Sequence, residues 1–448
     1  MVSKSTLYPS GSVFNVDVLK GVRPGREDRA PNDQSFDLAV IEFNDDGTFV
    51  DSSQVAAAAG CVSEARRSNG NGAVVVLFIH GWHHGAAWNV ARDDDTHFLA
   101  FRDVLMGLAL REAERYAPGP LGRRVVGVYL GWNGDPASSW MRDTRWLTHL
   151  SFWDRYRTAK KIGDGEAIRD TIRILVARTK DPVELSPGQL EPESPLILVG
   201  HSMGALMLES AFLRLLEDEG DPLVRRQTGQ QPGPVEIRRG VELVSFPDLL
   251  LALNSAADSD IAKGIRAALE QQKLTKTAAA DDIRYSPPLF ISVTSTADSD
   301  TGSIWRWAQF PRVWRTTDGH DSSLLTHTFE TGQARVACEP RGFVDHGQNW
   351  HCLRPPIPPN KPTPEFAIDL PVRDRQGLED RPDHNRYRLA PLDDGAEAQL
   401  VWIFQSPPEI IADHNDIFNS RSSSLILGLI QISGAVMSLA ADWKQTFE

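Results

Sequence analysis

PLILVGHSMGALMLESAFLRLLEDE, Pro195 to Glu219, decides the fold. Pro195 to Val199 is a short apolar run of the kind needed by a strand covered on both faces. Ala205 to Glu219 places Leu206, Leu208, Phe212, Leu213 and Leu216 at helical spacing. Between them stands Gly200-His201-Ser202-Met203-Gly204. A turn this tight has no room for side chains at its first and last positions, so glycine flanks it and the Ser202 hydroxyl is held out beyond the strand end, in front of the helix N-terminus.

The same alternation extends through the chain. Short β-branched runs without clean alternation occur at 73–79 (AVVVLFI), 124–130, 195–199, 241–253 in one or two pieces, 288–293 and 400–404. Helical patterns lie at 98–116, 165–179, 205–219 and 258–272. Strand and helix in repeated alternation imply an α/β fold with a mainly parallel central sheet and helices on both faces. Ahead of the first strong strand, DLAVIEF, the turn Asn44-Asp-Asp-Gly47 and TFVD suggest a β-hairpin, followed by an alanine-rich helix from Gln54 to Arg67.

Four regions depart from the rhythm. Residues 1–35 are polar and rich in Gly, Pro and charge, and are expected to form a partly ordered arm. The stretch 134–161 carries Trp140, Trp146, Phe152, Trp153 and Tyr156, which suits either a cap beside a pocket or an ordinary amphipathic helix pair. Residues 301–399, proline-rich from Pro355 to Pro371, are expected to be an irregular insertion or lid. The core is then 36–300 together with 400–448. Leu425 to Ala440 is the most apolar stretch, but Gln431, Ser433, Gly434 and Ser438 interrupt it, and it is shorter than the roughly 20 residues that span a bilayer. A buried C-terminal helix is expected, with peripheral membrane docking or self-association through 425–440 as the alternative.

Composition narrows the class. A chain of 448 residues with 41% hydrophobic and 24% charged residues can bury a large core. Its formal net charge of −13, without a basic stripe, argues against a phosphate-tracking nucleic-acid binder. The N-terminus has no continuous apolar segment before a small-residue cleavage site, so a cytoplasmic location is expected. Cys61, Cys338 and Cys352 make no metal-ligand spacing; Cys338 and Cys352 could pair in an oxidising compartment, and reduced thiols are the expected state.

Taken with the segments before and after it, Gly-His-Ser202-Met-Gly resembles the nucleophile turn of the α/β-hydrolase superfamily, specifically its serine esterases and lipases. The resemblance covers about residues 36–300 and 400–440, and it implies an α/β-hydrolase fold with Ser202 as nucleophile. Ile79-His80-Gly81-Trp82-His83-His84 follows the most hydrophobic strand. In the superfamily such a His-Gly segment supplies one oxyanion-hole amide and the residue after the nucleophile the other, here the backbone N–H groups of Trp82 and Met203. His80, Gly81, His83 and His201 would line or rim the pocket. The acid is expected just past the strand ending near Val293, at Asp298 with Asp300 as the alternative. The base is expected past the last strand, at His414; His320, His327 and His384 are its rivals among twelve histidines. The chain order Ser202, Asp298, His414 is the superfamily's and differs from the trypsin-like and subtilisin-like orders.

The implied activity is hydrolysis of carboxylic esters, by a carboxylesterase or lipase, through an acyl-enzyme and without a cofactor. The expected partner is a small-molecule or lipid ester, and the aromatic 134–161 stretch favours an apolar acyl group. A lipase-type toxin or thioesterase would use the same residues. Two other classes remain open: a non-catalytic α/β-hydrolase-like binding protein, and a metallohydrolase using His80, His83 and His84 with Asp93 to Asp95. Adjacency of His83 and His84 disfavours the metal site, because neighbouring side chains have difficulty reaching one ion.

Overall fold

The computed structural model describes residues 13–16, 36–69, 71–85, 95–116, 122–134, 145–180, 184–186, 189–190, 194–217, 235–239, 242–244, 246–271, 274–278, 288–295, 297–298, 327–331, 366–371, 384–391, 400–406 and 408–433. Its centre is an eight-stranded sheet. The strands are β1 (Val13–Val16), β2 (Phe36–Glu42), β3 (Ala73–Ile79), β4 (Arg124–Gly131), β5 (Leu196–His201), β6 (Leu249–Leu253), β7 (Phe290–Ser295) and β8 (Val401–Ser406). They lie in the order β1-β2-β4-β3-β5-β6-β7-β8; β1 runs antiparallel to β2 and every other pair is parallel.

Alternation along β3 explains why the sheet needs helices on both faces. Ala73, Val75, Leu77 and Ile79 point into one core, and Val74, Val76 and Phe78 into the other. With no polar face, the strand must be covered twice. The first core is closed by α1 (Ser53–Asn69), α3 (Arg145–Gly163), α4 (Glu166–Lys180), α5 (Met203–Glu217) and α6 (Ser259–Gln271). The second is closed by α2 (Thr96–Tyr116) and α7 (Ser420–Ile432), the latter burying Leu425, Ile426, Leu429 and Ile430 as expected of the apolar C-terminal stretch. Residues 434–448 lie outside the described set. Among the described residues no helix is long and apolar enough to cross a membrane.

Two local expectations change, and the 241–253 run takes the two-piece form. Phe36–Glu42 is not one arm of a hairpin: it has a strand on each side, β1 and β4, and the Asn44–Gly47 turn leads only to a single bridge between Phe43 and Phe49. Its two-sided burial explains the pattern, since all seven residues are buried. The 241–253 run divides at Phe246 to Asp248, with Glu242–Val244 joining a separate three-stranded sheet beside Val235–Arg239 and Leu274–Ala278. Within 301–399, His327–Thr331, Phe366–Pro371 and His384–Pro391 form a small antiparallel sheet, so this part is not wholly irregular.

Two polar contacts fix where β5 begins. Asp248 accepts a hydrogen bond from the Leu196 amide at 2.6 Å while Lys180 Nζ holds the same carboxylate at 2.7 Å. Both side chains are buried, so each charge has its partner where water does not reach.

The sheet reverses its winding between β3 and β5. The helix following β3, α2, packs on one face, whereas the helix following β5, α5, packs on the other. Neighbouring strands whose connections leave to opposite faces open a crevice at their carboxyl ends, which is where ligands bind in open α/β sheets. Ile79-His80-Gly81 and His201-Ser202-Met203 are the two strand ends at this point.

Candidate functional site

Ser202 sits between β5 and α5 with φ 53°, in the left-handed region that a serine rarely adopts. The surroundings hold it there. Its amide donates to Leu253 O at 3.0 Å, and its carbonyl accepts from Leu206 N and from Ala256 N, each at 3.1 Å. Gly200 and Gly204 are required by close approach: a Cβ on Gly200 would lie 2.6 Å from Ala205 Cα, and one on Gly204 would lie 2.6 Å from His80 O. Helix α5 therefore starts in direct contact with the end of β3, which the tight turn made possible.

His414 comes to the serine from the loop between β8 and α7. Asp413 Oδ1 accepts from the amides of Asn415 (2.8 Å) and Asp416 (2.9 Å), forming a local turn. Asn419 caps α7 by accepting from Arg421 N and Ser422 N, and its amide nitrogen ties back to Ile410 O at 2.9 Å. Ala412, Asp413 and Asn415 are exposed, while His414 between them turns inward and is buried.

Three of the expected residues meet. His414 Nε2 lies 2.8 Å from Ser202 Oγ, and His414 Nδ1 lies 2.9 Å from Asp298 Oδ2. Asp298, on a turn in which its amide donates to Ser295 O, is itself buried. The three residues come from the carboxyl ends of β5, β7 and β8. With the Nδ1–H donated to the carboxylate, Nε2 presents its lone pair to the serine hydroxyl. A serine so placed can lose its proton as it attacks, which is the activation a weak hydroxyl nucleophile needs. Asp300 and His320 lie outside the described residues, and His327 and His384 belong to the backbone of the small antiparallel sheet.

Gly81 is in contact with the serine: a Cβ there would stand 2.8 Å from Ser202 Cβ and 2.8 Å from His201 Nδ1. The 80–82 segment thus runs along the Ser202 turn. Among the described residues, no acceptor takes the backbone N–H of Trp82 or of Met203, the first residue of α5. Free amides beside a helix N-terminus favour negative charge there. Trp82 stacks on His83 (3.8 Å between ring centroids) and meets Phe152 of α3 edge-on (5.3 Å). The described part of the aromatic 134–161 stretch is therefore a helix packed against α5 whose Phe152 and Tyr156 are buried in the core, with Phe152 meeting Trp82.

His80 and His84 have structural partners. Trp132 N–H donates to His80 Nε2 at 3.2 Å and His80 Nδ1–H donates to Gly81 O at 2.9 Å, so neither ring nitrogen is left for a ligand. Burial pushes its pKa down to about 4 and keeps it neutral. His84 pairs with Asp95 at 3.2 Å, and Asp95 also accepts from His97 N and Phe98 N as the N-cap of α2. Burial works against the Asp95 charge, but these hydrogen bonds and the neighbouring histidines hold its carboxyl below the usual range. A metal set of His80, His83, His84 and Asp95 is thus not what these side chains form; Asp93 and Asp94 lie outside the described residues. Among the described residues no group of three or more His, Cys, Asp or Glu is arranged to hold a metal ion.

Two neighbours of the site carry no motif in the sequence. His97 stacks on His84 at 3.5 Å and meets His201 edge-on at 4.9 Å, buried and with both ring nitrogens lacking a hydrogen-bond partner. Asn254 follows β6 with φ 43° and reaches the His414 loop. The one signal available for Asn254 was position, as the first polar residue past an apolar strand at the carboxyl edge of the sheet. Comparison of the chain with protein-family models, with curated proteins and with solved structures finds no match in any of the three.

Proposed function

We propose that the chain is a serine hydrolase of the α/β-hydrolase type that cleaves carboxylic esters. One observation carries the reading: the Ser202–His414–Asp298 chain, with steps of 2.8 and 2.9 Å, at the carboxyl ends of three parallel strands. Neutral His414 takes the Ser202 proton as Oγ attacks the acyl carbonyl. The Trp82 and Met203 amides receive the oxyanion, each donor contributing about 2.7–4 kcal/mol in comparable sites. The leaving alcohol takes the proton back from His414, and water, deprotonated by the same imidazole, hydrolyses the acyl-enzyme. Asp298 holds the Nδ1–H tautomer and offsets the imidazolium charge.

The Trp82 ring, carried on the segment that runs past Ser202 and backed by Phe152, favours an apolar acyl group over a charged one. A thioesterase or a lipase-type toxin would run the same steps on a different leaving group or at a lipid surface. A binding protein with an inert pocket has no need of a buried carboxylate aligned on a buried imidazole and a hydroxyl. The test is covalent labelling by a fluorophosphonate together with turnover of short p-nitrophenyl esters. Ser202→Ala should abolish both while the protein remains folded; labelling that survives the substitution refutes the assignment.

A further inference from the structure

Two side chains from different strands end on one acceptor. The carbonyl oxygen of His414 accepts from His201 Nε2 at 2.8 Å and from Asn254 Nδ2 at 2.9 Å. His201 is the last residue of β5, immediately before the serine, and Asn254 follows β6. Asn254 reaches further: its Nδ2 lies 3.3 Å from Asp413 O, and its Oδ1 accepts the Ser295 amide at 2.8 Å. Ser295 ends β7, accepts the Ala297 amide on Oγ at 3.1 Å just ahead of Asp298, and donates Oγ–H to Ile411 O at 2.6 Å. Three consecutive strand ends are thereby bonded to the same exposed loop.

This arrangement exceeds what a buried carbonyl needs. One donor satisfies a carbonyl, and the loop residues around His414 are open to water. Asn254 also holds a left-handed backbone, which costs a non-glycine residue roughly 1–2 kcal/mol and which asparagine tolerates better than most. That conformation directs its amide across the sheet edge to both the His414 carbonyl and the Ser295 amide. The imidazole must satisfy two distances at once, to Ser202 and to Asp298, and its own side-chain torsions can do so only if its main chain is held in place.

We infer that Asn254 and His201 are positioning residues that clamp the His414 main chain, setting its imidazole between the Ser202 hydroxyl and the Asp298 carboxylate. The inference rests on the hydrolase reading of that site. The clamp acts through His414 and touches no substrate. His201 donates through Nε2–H and must therefore carry its proton there, with Nδ1 turned to the Gly81 main chain.

The test compares Asn254→Gly, His201→Gln and His201→Leu with wild type. Glycine accepts the left-handed backbone and removes only the amide, and glutamine keeps a side-chain N–H donor where leucine does not. Expected is a fall in kcat and in fluorophosphonate labelling rate of about 10- to 100-fold for Asn254→Gly and His201→Leu, the scale of a displacement of up to 1 Å at the reacting groups. KM should be unchanged, and His201→Gln should recover most of the loss. The downfield proton resonance of the His414 Nδ1–H shared with Asp298 should be present in wild type and shifted or lost in Asn254→Gly, whatever the substrate. Wild-type kcat and an unmoved resonance in Asn254→Gly overturn the clamp. A wild-type protein inert to the fluorophosphonate overturns the hydrolase reading, and the resonance then still decides whether Asn254 positions the ring.

Discussion

Gly81→Ala probes the site with one methyl group. Gly81 has no positive φ, so alanine meets no backbone penalty and the whole effect comes from the contact. The new Cβ would stand 2.8 Å from Ser202 Cβ and 2.8 Å from His201 Nδ1, with His201 Cε1 at 3.2 Å. Carbon atoms pack at about 3.5–4.0 Å, so the shortfall is about 1 Å. The ring of His201 cannot swing aside without breaking its bond to the His414 carbonyl, and Ser202 is held by both its amide and its carbonyl. Relief must therefore move Ser202 or His414. Overpacking of this kind costs about 1–3 kcal/mol of stability. Displacing the reacting oxygen by even part of 1 Å should slow acylation by up to about 100-fold. The assay is the second-order rate of fluorophosphonate labelling, with urea denaturation on the same samples. The two effects separate: a well-folded Gly81→Ala protein should label slowly. A folded variant that labels at the wild-type rate refutes the placement of Gly81 against Ser202. Gly204→Ala is the poorer probe, because its Cβ would collide with the main-chain oxygens of Ile79 and His80 and the protein should fail to fold.

Asp298→Asn should leave the fold intact and lower kcat by about 10⁴-fold, the loss seen when the orienting carboxylate of such a site becomes an amide, whereas Asp300→Asn should change it little; steady-state turnover of p-nitrophenyl esters distinguishes the two carboxylates. On the acid side, His80 is held neutral by burial with its pKa lowered from 6.5 to about 4. The unfolded chain binds a proton that the folded one refuses, so stability present above pH 6.5 should be lost as pH falls toward 4, by about 3 kcal/mol from this residue. Urea midpoints between pH 7 and pH 4 measure it, and a flat profile contradicts the buried neutral ring. Glu209 on α5 has the opposite sign: fully buried beside Ser255, with Oε1 lacking a partner, its carboxyl is raised by burial from 4.5 to about 7. Folding then holds a proton the unfolded chain has released, stability falls as pH rises from 4.5 through 7, and Glu209→Gln should regain about 3 kcal/mol at pH 8 while doing little at pH 4.

The parts of the fold legible in the sequence are those where burial is two-sided and local. Ala73–Ile79 was readable to the residue because each of its seven side chains is apolar, and the glycines around Ser202 announced a turn whose close contacts the structure displays. The strand Phe36–Glu42 is legible but its pairing is not, because Asn44–Gly47 is a true turn, with Gly47 at φ 85°, yet the chain after it makes one bridge and then enters α1. A turn specifies reversal of direction and not the length of pairing that follows. Ser202, Asp298 and His414 were legible as strand-end residues in order. The clamp was not, because it joins a side chain at 254 to a main-chain oxygen at 414, and a backbone acceptor leaves no trace in residue identity.

The histidines packed behind the base bear on the proposed chemistry through the charges they do not carry. The His201 ring lies 4.9 Å from the His414 ring, and His97 is another 4.9 Å behind it. In the proposed acylation His414 would become an imidazolium. A charged neighbour at 4.9 Å would oppose that step by about 3 kcal/mol at the effective dielectric of a protein site, enough to slow it more than 100-fold. Burial, with the His414 ring as the next contribution, holds the His201 pKa well below its ordinary value, and burial does the same for His97. Both rings are therefore neutral at the pH where a histidine base operates. They fill the space behind His414 with apolar faces and supply one N–H donor to its carbonyl, while the Asp298 carboxylate, 2.9 Å from Nδ1, faces the developing charge directly. Replacing these histidines by lysine would keep donors nearby and add the charge that the arrangement keeps out, which is why a donor alone does not explain the choice of residue.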